Sequence, residues 1–263
     1  MSSGHALVMA GRSDTGCLRS HNEDAIHFNA ARGLAILADG MGGHNAGEVA
    51  SGMVSVFLGS ELGKVLGGKF SGLRLDAAGE ARLAKLLTEE VARANGAVYQ
   101  AARSQPQYAG MGTTLVMAVF IDNALMSAHV GDSRLYRLRA GQIICLTRDH
   151  SLLQDRLDSG LMTPEEARLS TRKNFITRAI GTEPEVQVEI HRHEVQVGDV
   201  FLLCSDGLND MVSDEAIASI LQASCDAPEQ AAARLIDMAN EQGGKDNVSA
   251  IVVRVRAGFP AAG

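Results

Sequence analysis

The sequence is poor in the features that mark several protein classes. Its 263 residues contain no tryptophan, five prolines and four cysteines, and aromatic residues make up only 4%. The cysteines, Cys17, Cys145, Cys204 and Cys225, are far apart and form no CxxC pair. A chain of this length also needs no disulfide framework, so we expect reduced and mostly buried thiols.

Basic clusters and long apolar runs are also missing. Acidic residues outnumber Lys and Arg by 31 to 24, and the formal net charge is -7. Because no Lys/Arg-rich run is present, we expect no nucleic-acid partner. The apolar stretches fall short of a membrane span and the N-terminus lacks the layout of a signal peptide, so we expect a cytoplasmic protein without membrane contact.

What is present suits one large domain. Apolar residues make up 46%, enough for a sizeable core over 1–257, with a frayed tail at 258–263. Residue patterns predict strands at 6–11, 34–38, 114–121, 124–130, 134–138, 186–195, 200–204 and 248–255. They predict helices at 46–62, 80–103, 213–223 and 228–242. Strands that follow strands, with helices in pairs, favour an α+β layered sandwich of antiparallel sheets.

One polar, helix-forming segment interrupts this order at 148–181. We call it the flap segment, because it reads as an excursion from the sheets. Its "TPEE" motif predicts a helix start in which Thr163 caps the helix and Pro164 opens the first turn.

Acidic residues recur at the ends of apolar runs. Asp39 ends "GLAILADG", Asp132 follows "ALMSAHVG", Asp206 follows "DVFLLCS", and Asp246 precedes "NVSAIVVRV". The motif "NED" adds two more acids at 23–24. Because strand ends emerge from the core, these carboxylates are expected to gather at one rim.

Carboxylates packed closely together repel one another unless protons or cations neutralise them. Ligand sets made of oxygen alone favour Mg²⁺ or Mn²⁺ over zinc. The missing Cβ of Gly40 would let its carbonyl approach such an ion. Any single Asp-Gly pair is more simply explained as a turn, but the recurrence favours a metal site.

Eight motifs together resemble the PP2C family, the metal-dependent Ser/Thr protein phosphatases, in its bacterial branch. They stand in family order between about residues 8 and 256: "RSHNED", "DGMGGHNAGEVAS", "GMGTTL", "VGDSRLY", "LTRDHS", "ITRAIG", "CSDGLND" and "GGKDNVSAIV". The resemblance implies a PP2C-like αββα four-layer sandwich, with two antiparallel sheets flanked by pairs of helices and a flap. It also implies hydrolysis of phosphoserine and phosphothreonine in proteins.

The resemblance further implies a core site for two Mn²⁺ or Mg²⁺ ions. Asp39 is similar to the carboxylate that bridges both ions. Asp206 and Asp246 match the ligands of the first ion, while Glu23 and the Gly40 carbonyl match those of the second.

Three other residues match functional residues of the family that lie around the two ions. Asp24 matches a residue that holds metal-bound water, and Arg19 matches the phosphate-binding arginine. Bacterial relatives hold a third ion between the equivalents of Asp132 and Asp206. Without the motif, Arg19 would read as an ordinary surface arginine.

Two ions that share a water can make it a nucleophile at neutral pH, and the chain has no P-loop, GxSxG or CxxxxxR motif that would indicate another route. Met41 occupies the place of a histidine that is proposed as the general acid in eukaryotic relatives. His21 and His44 lie nearby in sequence but read more simply as loop residues, so the acid stays unassigned. "HRH" at 191–193 reads as a solvated strand face.

For partners we expect phosphoproteins modified by a bacterial Ser/Thr kinase, and we expect a monomer. "LSTRKN" at 169–174 could meet acidic substrate segments; charge reversal at Arg172 and Lys173 should then weaken activity on a phosphoprotein more than on an aryl phosphate. Two alternatives stay open. One is a catalytically inert phosphatase-like binding module, although no matched acid is missing. The other is a two-metal nuclease, which the acidic composition disfavours.

Overall fold

Two antiparallel sheets stack face to face in the computed structural model, which describes residues 6–43, 46–68, 74–163, 166–167 and 175–259. The first sheet has the order β1-β11-β10-β7-β8, formed by Leu7–Asp14 (β1), Arg134–Arg139 (β7), Gln142–Cys145 (β8), Val200–Cys204 (β10) and Val248–Val255 (β11). The second has the order β2-β3-β5-β6-β9, formed by Asp24–Asn29 (β2), Leu34–Met41 (β3), Leu115–Ile121 (β5), Ala124–Val130 (β6) and Glu189–Glu194 (β9). A short strand, Gly112–Thr113 (β4), pairs with β3.

Helices cover the outer face of each sheet. The second sheet carries Ala46–Leu66 (α1) and Ala77–Ser104 (α2), and the first carries Asp214–Ala223 (α5) and Pro228–Glu241 (α6). Shorter helices span Leu152–Asp158 (α3) and Asp206–Asn209 (α4), and 3₁₀ turns span Ala30–Arg32 and Pro106–Tyr108. This confirms the αββα architecture that the motifs implied.

Strand alternation divides the interior into three apolar layers. Along β3, Leu34 and Ile36 pack towards α1 and α2, while Ala35 and Leu37 pack against the other sheet. Successive side chains of a strand point to opposite faces. The same alternation puts Asp39 on the face between the sheets, at the end where β3 leaves the core.

Helix α1 tests the membrane expectation. By length and composition alone, its 21 residues could cross a membrane, contrary to the expectation that every apolar stretch falls short. Core helices of soluble proteins pass the same test, so this is weak evidence. Ala50, Val54, Leu58 and Leu62 are fully buried in the core that α1 shares with the second sheet and α2.

Two further expectations need correction. The cysteines are free, but Cys17 and Cys145 are exposed and only Cys204 is buried, since Cys17 lies in a turn and Cys145 on the edge strand β8. In "HRH", His191 is exposed as expected, whereas His193 is half-buried and shares a 2.9 Å hydrogen bond with Ser127 Oγ.

Side-chain caps stabilise two helix starts within the flap segment. Ser151 Oγ accepts from Gln154 N at 3.2 Å and begins α3. Further on, Glu166 N donates to Thr163 Oγ1 at 3.2 Å and Thr163 N donates to Glu166 Oε2 at 2.8 Å, the reciprocal cap that "TPEE" predicted. Pro164, the stretch 169–174 with Arg172 and Lys173, and tail residues 260–263 lie outside the described residues, and the division into domain, flap and tail stays a prediction.

Candidate metal and phosphate site

The register of β2 and β3 sets the first two acids side by side. Asp24 is the direct partner of Asp39 across this antiparallel pair. Directly opposed side chains lie on the same face of a sheet. Both carboxyls therefore lie at the open end between the two sheets.

The "GMGTTL" motif holds the backbone at Asp39. Asp39 N donates to Thr114 Oγ1 at 3.0 Å, Thr114 N donates to Asp39 O at 2.8 Å, and Thr113 Oγ1 donates to the same carbonyl at 2.8 Å. Thr114 Oγ1 also shares a 2.7 Å hydrogen bond with Ser133 Oγ, in the "GDSR" motif. Thr114 thus joins the end of β3 that carries Asp39 to the turn that carries Asp132.

Serines line the neighbouring part of the space between the sheets. Ser205 Oγ donates to Asp24 Oδ2 at 2.8 Å and accepts from Ser249 N at 2.9 Å. The second carboxyl oxygen, Asp24 Oδ1, is buried without a hydrogen-bond partner. Burial raises the pKa of Asp24 to about 6.

Electrostatics show that the acids converge. Burial raises the pKa of Asp39 well above its ordinary value, and the next four causes are the negative charges of Asp24, Asp206, Asp132 and Asp246. Asp206 shows the same direction, first from burial and then from the charges of Asp132 and Asp246. The neighbouring carboxylates therefore disfavour ionisation of Asp39 and Asp206.

Asp132 forms the far side of this group. It is 6% exposed, and its Oδ1 is buried without a hydrogen-bond partner. Burial, followed by the charge of Asp149, raises the pKa of Asp132 to about 7. Asp149 itself is matched, because Arg134 binds it through Nε and Nη2 at 2.9 and 2.7 Å.

Asn247 fixes the loop that carries Arg19 beside Asp246. Its Nδ2 donates to the carbonyls of Thr15 and His21 at 2.9 and 2.8 Å, and its Oδ1 accepts from Glu23 N at 2.9 Å. Arg19 is exposed at the rim, and its Nη2 donates to Asp246 Oδ2 at 2.7 Å. The predicted phosphate ligand is therefore the ion-pair partner of a predicted metal ligand.

Glu23 and Gly40 meet at the start of α1. Backbone N–H groups of Gly47 and Glu48 donate to the Glu23 carboxylate, although burial is the largest cause and raises its pKa. A Cβ on Gly40 would lie 2.2 Å from the Gly47 carbonyl oxygen. The glycine at 40 is thus required by helix packing as well as by any approach of its carbonyl to an ion.

All eight residues predicted for the site lie in this region, but their roles in binding ions and phosphate stay predictions. His21 is exposed and His44 lies outside the described residues. Thr114, Ser205 and Asn247 were not predicted as parts of the site. "GMGTTL" and "GGKDNVS" were visible as motifs, but nothing local in them indicated partners elsewhere in the chain.

A cavity of about 580 Å³ opens beside the acids, between the first sheet and the flap segment. Asp132 and Asp206 line its inner wall, and Leu157 of α3 and Asp214 of α5 line its outer parts. The cavity is large enough for a side chain with its flanking backbone.

The acid cluster fits divalent cations. All of its candidate donors are oxygens, two buried carboxyl oxygens lack partners, and the main charges acting on Asp39 are negative. A separate group, His129, His150 and Glu189, brings three ligand atoms within 4.8 Å of one another and is the one such group among the described residues. The ligand atoms of the acid cluster do not all come within this distance of one another.

Known proteins are similar to this chain in both sequence and fold. A family model described as protein phosphatase 2C matches residues 18–240. The serine/threonine protein phosphatase PstP of Mycobacterium tuberculosis is 42% identical over 251 residues, which cover 95% of this chain but 45% of that protein. Protein phosphatase PhpP of Streptococcus pneumoniae is 37% identical over 92% of this chain and 94% of its own length. The chain thus spans about half the length of PstP.

A solved structure of the PstP catalytic domain with two manganese ions superposes with a TM-score of 0.80 at 40% identity, covering 95% of this chain and 98% of that one. A serine/threonine phosphatase of S. agalactiae superposes with a TM-score of 0.85 at 34% identity, covering 95% and 100%.

Proposed function

The chain belongs to the protein phosphatase 2C family, and from this premise we propose that it hydrolyses phosphoserine and phosphothreonine in proteins with the help of two Mn²⁺ or Mg²⁺ ions. The observation that carries the proposal is the buried acid cluster around Asp39, whose charge the surrounding residues do not match. A fold does not maintain such crowding without a compensating ligand or protons.

The proposed ligands follow from the placement of the acids. Asp39 lies centrally and would serve both ions. Asp206 and Asp246 would complete one ion, and Glu23 with the Gly40 carbonyl would complete the other. Asp24, with one free oxygen beside Asp39, would hold a water of the site.

A third ion is a finer proposal. Asp132 and Asp206 line the same cavity, burial and then the charge of Asp132 raise the pKa of Asp206, and Asp132 Oδ1 has no hydrogen-bond partner. A cation between them would satisfy that oxygen.

Bound divalent cations would lower the pKa of a water and offset charge on the phosphoryl group. The residues of the chain supply the rest of the chemistry. Arg19 lies at the rim with half of its side chain exposed, so its guanidinium could exchange Asp246 for two phosphoryl oxygens. Met41 cannot donate a proton to the leaving alkoxide, so the general acid stays unassigned.

The 580 Å³ cavity is the proposed place for residues that flank the phosphorylated side chain. Besides the proposed metal ligands, its wall carries Asp210, Asp214 and Glu215, so basic flanking residues should bind better than acidic ones. Phosphoproteins made by a Ser/Thr kinase are the proposed substrates. A monomeric state and a cytoplasmic location remain parts of the proposal.

The main rival is a phosphatase-like module that binds partners without turnover. The test is phosphate release from a phosphothreonine peptide and from p-nitrophenyl phosphate, measured with Mn²⁺, with EDTA, and with Asp39→Asn. Metal-dependent release that the substitution abolishes supports the phosphatase. A wild-type protein that binds Mn²⁺ and the phosphopeptide without releasing phosphate would favour the module.

A further inference from the structure

His150 holds the turn that precedes Asp132 from both sides. It is 2% exposed and belongs to the "RDHS" motif at the start of the flap segment. His150 N donates to Gly131 O at 2.9 Å, and Gly131 N donates to His150 Nδ1 at 3.1 Å. Both backbone groups of Gly131 are therefore bound by one residue, 19 positions away in the chain.

The clasped glycine has little freedom of its own. Gly131 has φ +103°, a backbone conformation that residues other than glycine rarely adopt, and a Cβ there would lie 2.7 Å from Thr114 Cγ2. The direction in which the chain enters Asp132 thus depends on this turn. Loss of the hydrogen bond to His150 would leave a buried N–H group without a partner.

Gly131 and Glu189 together determine which ring nitrogen of His150 carries the proton. A backbone N–H can only donate, so Nδ1 must be unprotonated, and the proton of the neutral ring lies on Nε2. Glu189 Oε1, on β9, lies 3.1 Å from Nε2 and accepts it. Burial lowers the pKa of His150, which favours this neutral ring.

The same hydrogen bonds argue against zinc at this cluster, although His129, His150 and Glu189 are close enough and His129 Nδ1 is buried without a partner. A histidine ligand needs a free lone pair, but both ring nitrogens of His150 are engaged. The rings of His129 and His150 also stack, with centroids 4.7 Å apart and planes at 21°, so their in-plane lone pairs do not converge on one point.

His150 also reaches the far end of the flap segment. Thr177 N donates to His150 O at 2.8 Å, Ser151 bridges to Ile176, and Arg178 Nη1 lies 3.4 Å from Glu189 Oε1. One residue therefore connects the start of the flap segment, its return and the turn before Asp132.

We propose that His150, oriented by Glu189, is a positioning residue that holds the Gly131–Asp132 turn so that the Asp132 carboxylate faces Asp206 and can share a cation with it. The inference rests on the proposed function, because it assigns Asp132 to the third ion of that site. It makes the metal site between Asp132 and Asp206 depend on a histidine that contacts no ion.

Two substitutions of His150 distinguish the contact of Nδ1 with Gly131 from the contact of Nε2 with Glu189. In His150→Asn, the amide oxygen can take the place of Nδ1 and accept from Gly131 N. In His150→Gln, the amide reaches towards Glu189 but leaves Gly131 N without its acceptor. Residues that orient metal ligands typically contribute 10–100-fold to affinity, so we expect His150→Gln to weaken Mn²⁺ binding at the Asp132–Asp206 site about tenfold and His150→Asn to recover most of that loss.

Mn²⁺ binding is measured by titration calorimetry and by the paramagnetic resonance signal of free Mn²⁺, neither of which needs turnover. Thermal unfolding in EDTA reports stability separately. Equal Mn²⁺ affinity for both variants and the wild type, or equal weakening in Asn and Gln variants, would overturn the proposal.

Glu189→Ala tests the second contact at a half-buried position where folding is less at risk. It should weaken the same site, since His150 loses the acceptor that fixes its tautomer. Glu194→Ala is the matched control, an exposed glutamate on the same strand that pairs with Arg139 instead, and we expect it to bind Mn²⁺ like the wild type; an equal effect of both substitutions would contradict the proposed role of Glu189. If the wild type bound Mn²⁺ but released no phosphate, the proposed function would be wrong. The comparison of Mn²⁺ affinities between the wild type and the variants would still be valid.

Discussion

Buried aspartates occur in two contrasting settings in this fold. Directly before β10 of the first sheet, the Asp199 side chain is 1% exposed and accepts from Arg139 Nε and Nη2 at 2.7 and 2.8 Å and from Gln196 N at 2.8 Å. At the open end between the sheets, Asp39 and Asp206 have other acids as their main charged neighbours. An aspartate whose charge is matched within the chain supports the fold, whereas an unmatched one is available to a ligand.

The largest expected effect comes from removing an unmatched charge, in Asp206→Asn. Turnover with Mn²⁺ should fall on the order of 10³-fold, because metal ions contribute several kcal/mol of transition-state stabilisation. The metal-free protein should become more stable, since one source of repulsion is gone. Steady-state phosphate release and urea unfolding in EDTA measure the two quantities. A variant that loses activity and metal-free stability together would mean that Asp206 supports the fold instead.

The matched aspartate should behave in the opposite way. Asp199→Asn leaves the Arg139 guanidinium without its counter-charge, and breaking a buried pair in this manner costs about 3 kcal/mol of unfolding free energy. Turnover per folded molecule should not change, because Asp199 lies apart from the acid cluster. Urea unfolding with active-site titration measures both quantities. If Asp199→Asn lost turnover at full stability, the contrast between the two settings would fail.

How far the sequence predicted this contrast depends on the range of the interactions. The four strand-end acids were visible because each stands beside its own apolar run. Eight strands and four long helices were predicted for the same reason, with ends displaced by a few residues. Strands β2 and β8 were missed because their half-buried or exposed side chains carry no clear alternation, and β4 was missed because it has only two residues.

The groups that orient the acids could not be predicted. Asn247 binds Glu23 across 224 residues, and Thr114 binds Asp39 across 75. Such pairs leave no periodic pattern, because hydrogen-bond partners are chosen by the fold. The matched role of Asp199 was equally invisible, since its partner Arg139 lies 60 residues away.

Arg19 lies between the two settings, since it is matched to Asp246 at an exposed rim. Arg19→Ala should lower kcat/KM by about 30-fold, or about 2 kcal/mol, because a charge-assisted contact with the phosphoryl group is lost. Arg19→Lys should recover only part, since a lysine offers a point charge without the two-pronged geometry. The measurement is steady-state kinetics on a phosphothreonine peptide. The control is Arg12→Ala, an exposed arginine on β1; an equal loss there would assign the effect of Arg19 to overall charge.

The smallest expected effect concerns the pH dependence of the metal-free protein. The pKa of Asp24 is raised to about 6 in the folded chain, above the usual value of about 4 that it regains on unfolding. Between those values the folded state binds more protons, so the contribution of Asp24 to the unfolding free energy falls as pH rises. Asp24→Asn should therefore be about 1 kcal/mol more stable than the wild type at pH 8, and this advantage should disappear near pH 5.

The wild type and Asp24→Asn must be compared in EDTA at each pH, because buried histidines change the unfolding free energy with pH in the opposite direction. Burial lowers the pKa of His193 to about 4, so below pH 6.5 its unfolded form binds more protons than its folded form. The contribution of His193 to stability therefore falls as the pH falls. That effect is common to the wild type and Asp24→Asn, and it cancels in their difference. Saturating Mn²⁺ should reverse the order at pH 8, because the cations then match the charge that the wild type retains. If the difference in EDTA did not change between pH 5 and 8, Asp24 would belong with Asp199 among the matched aspartates.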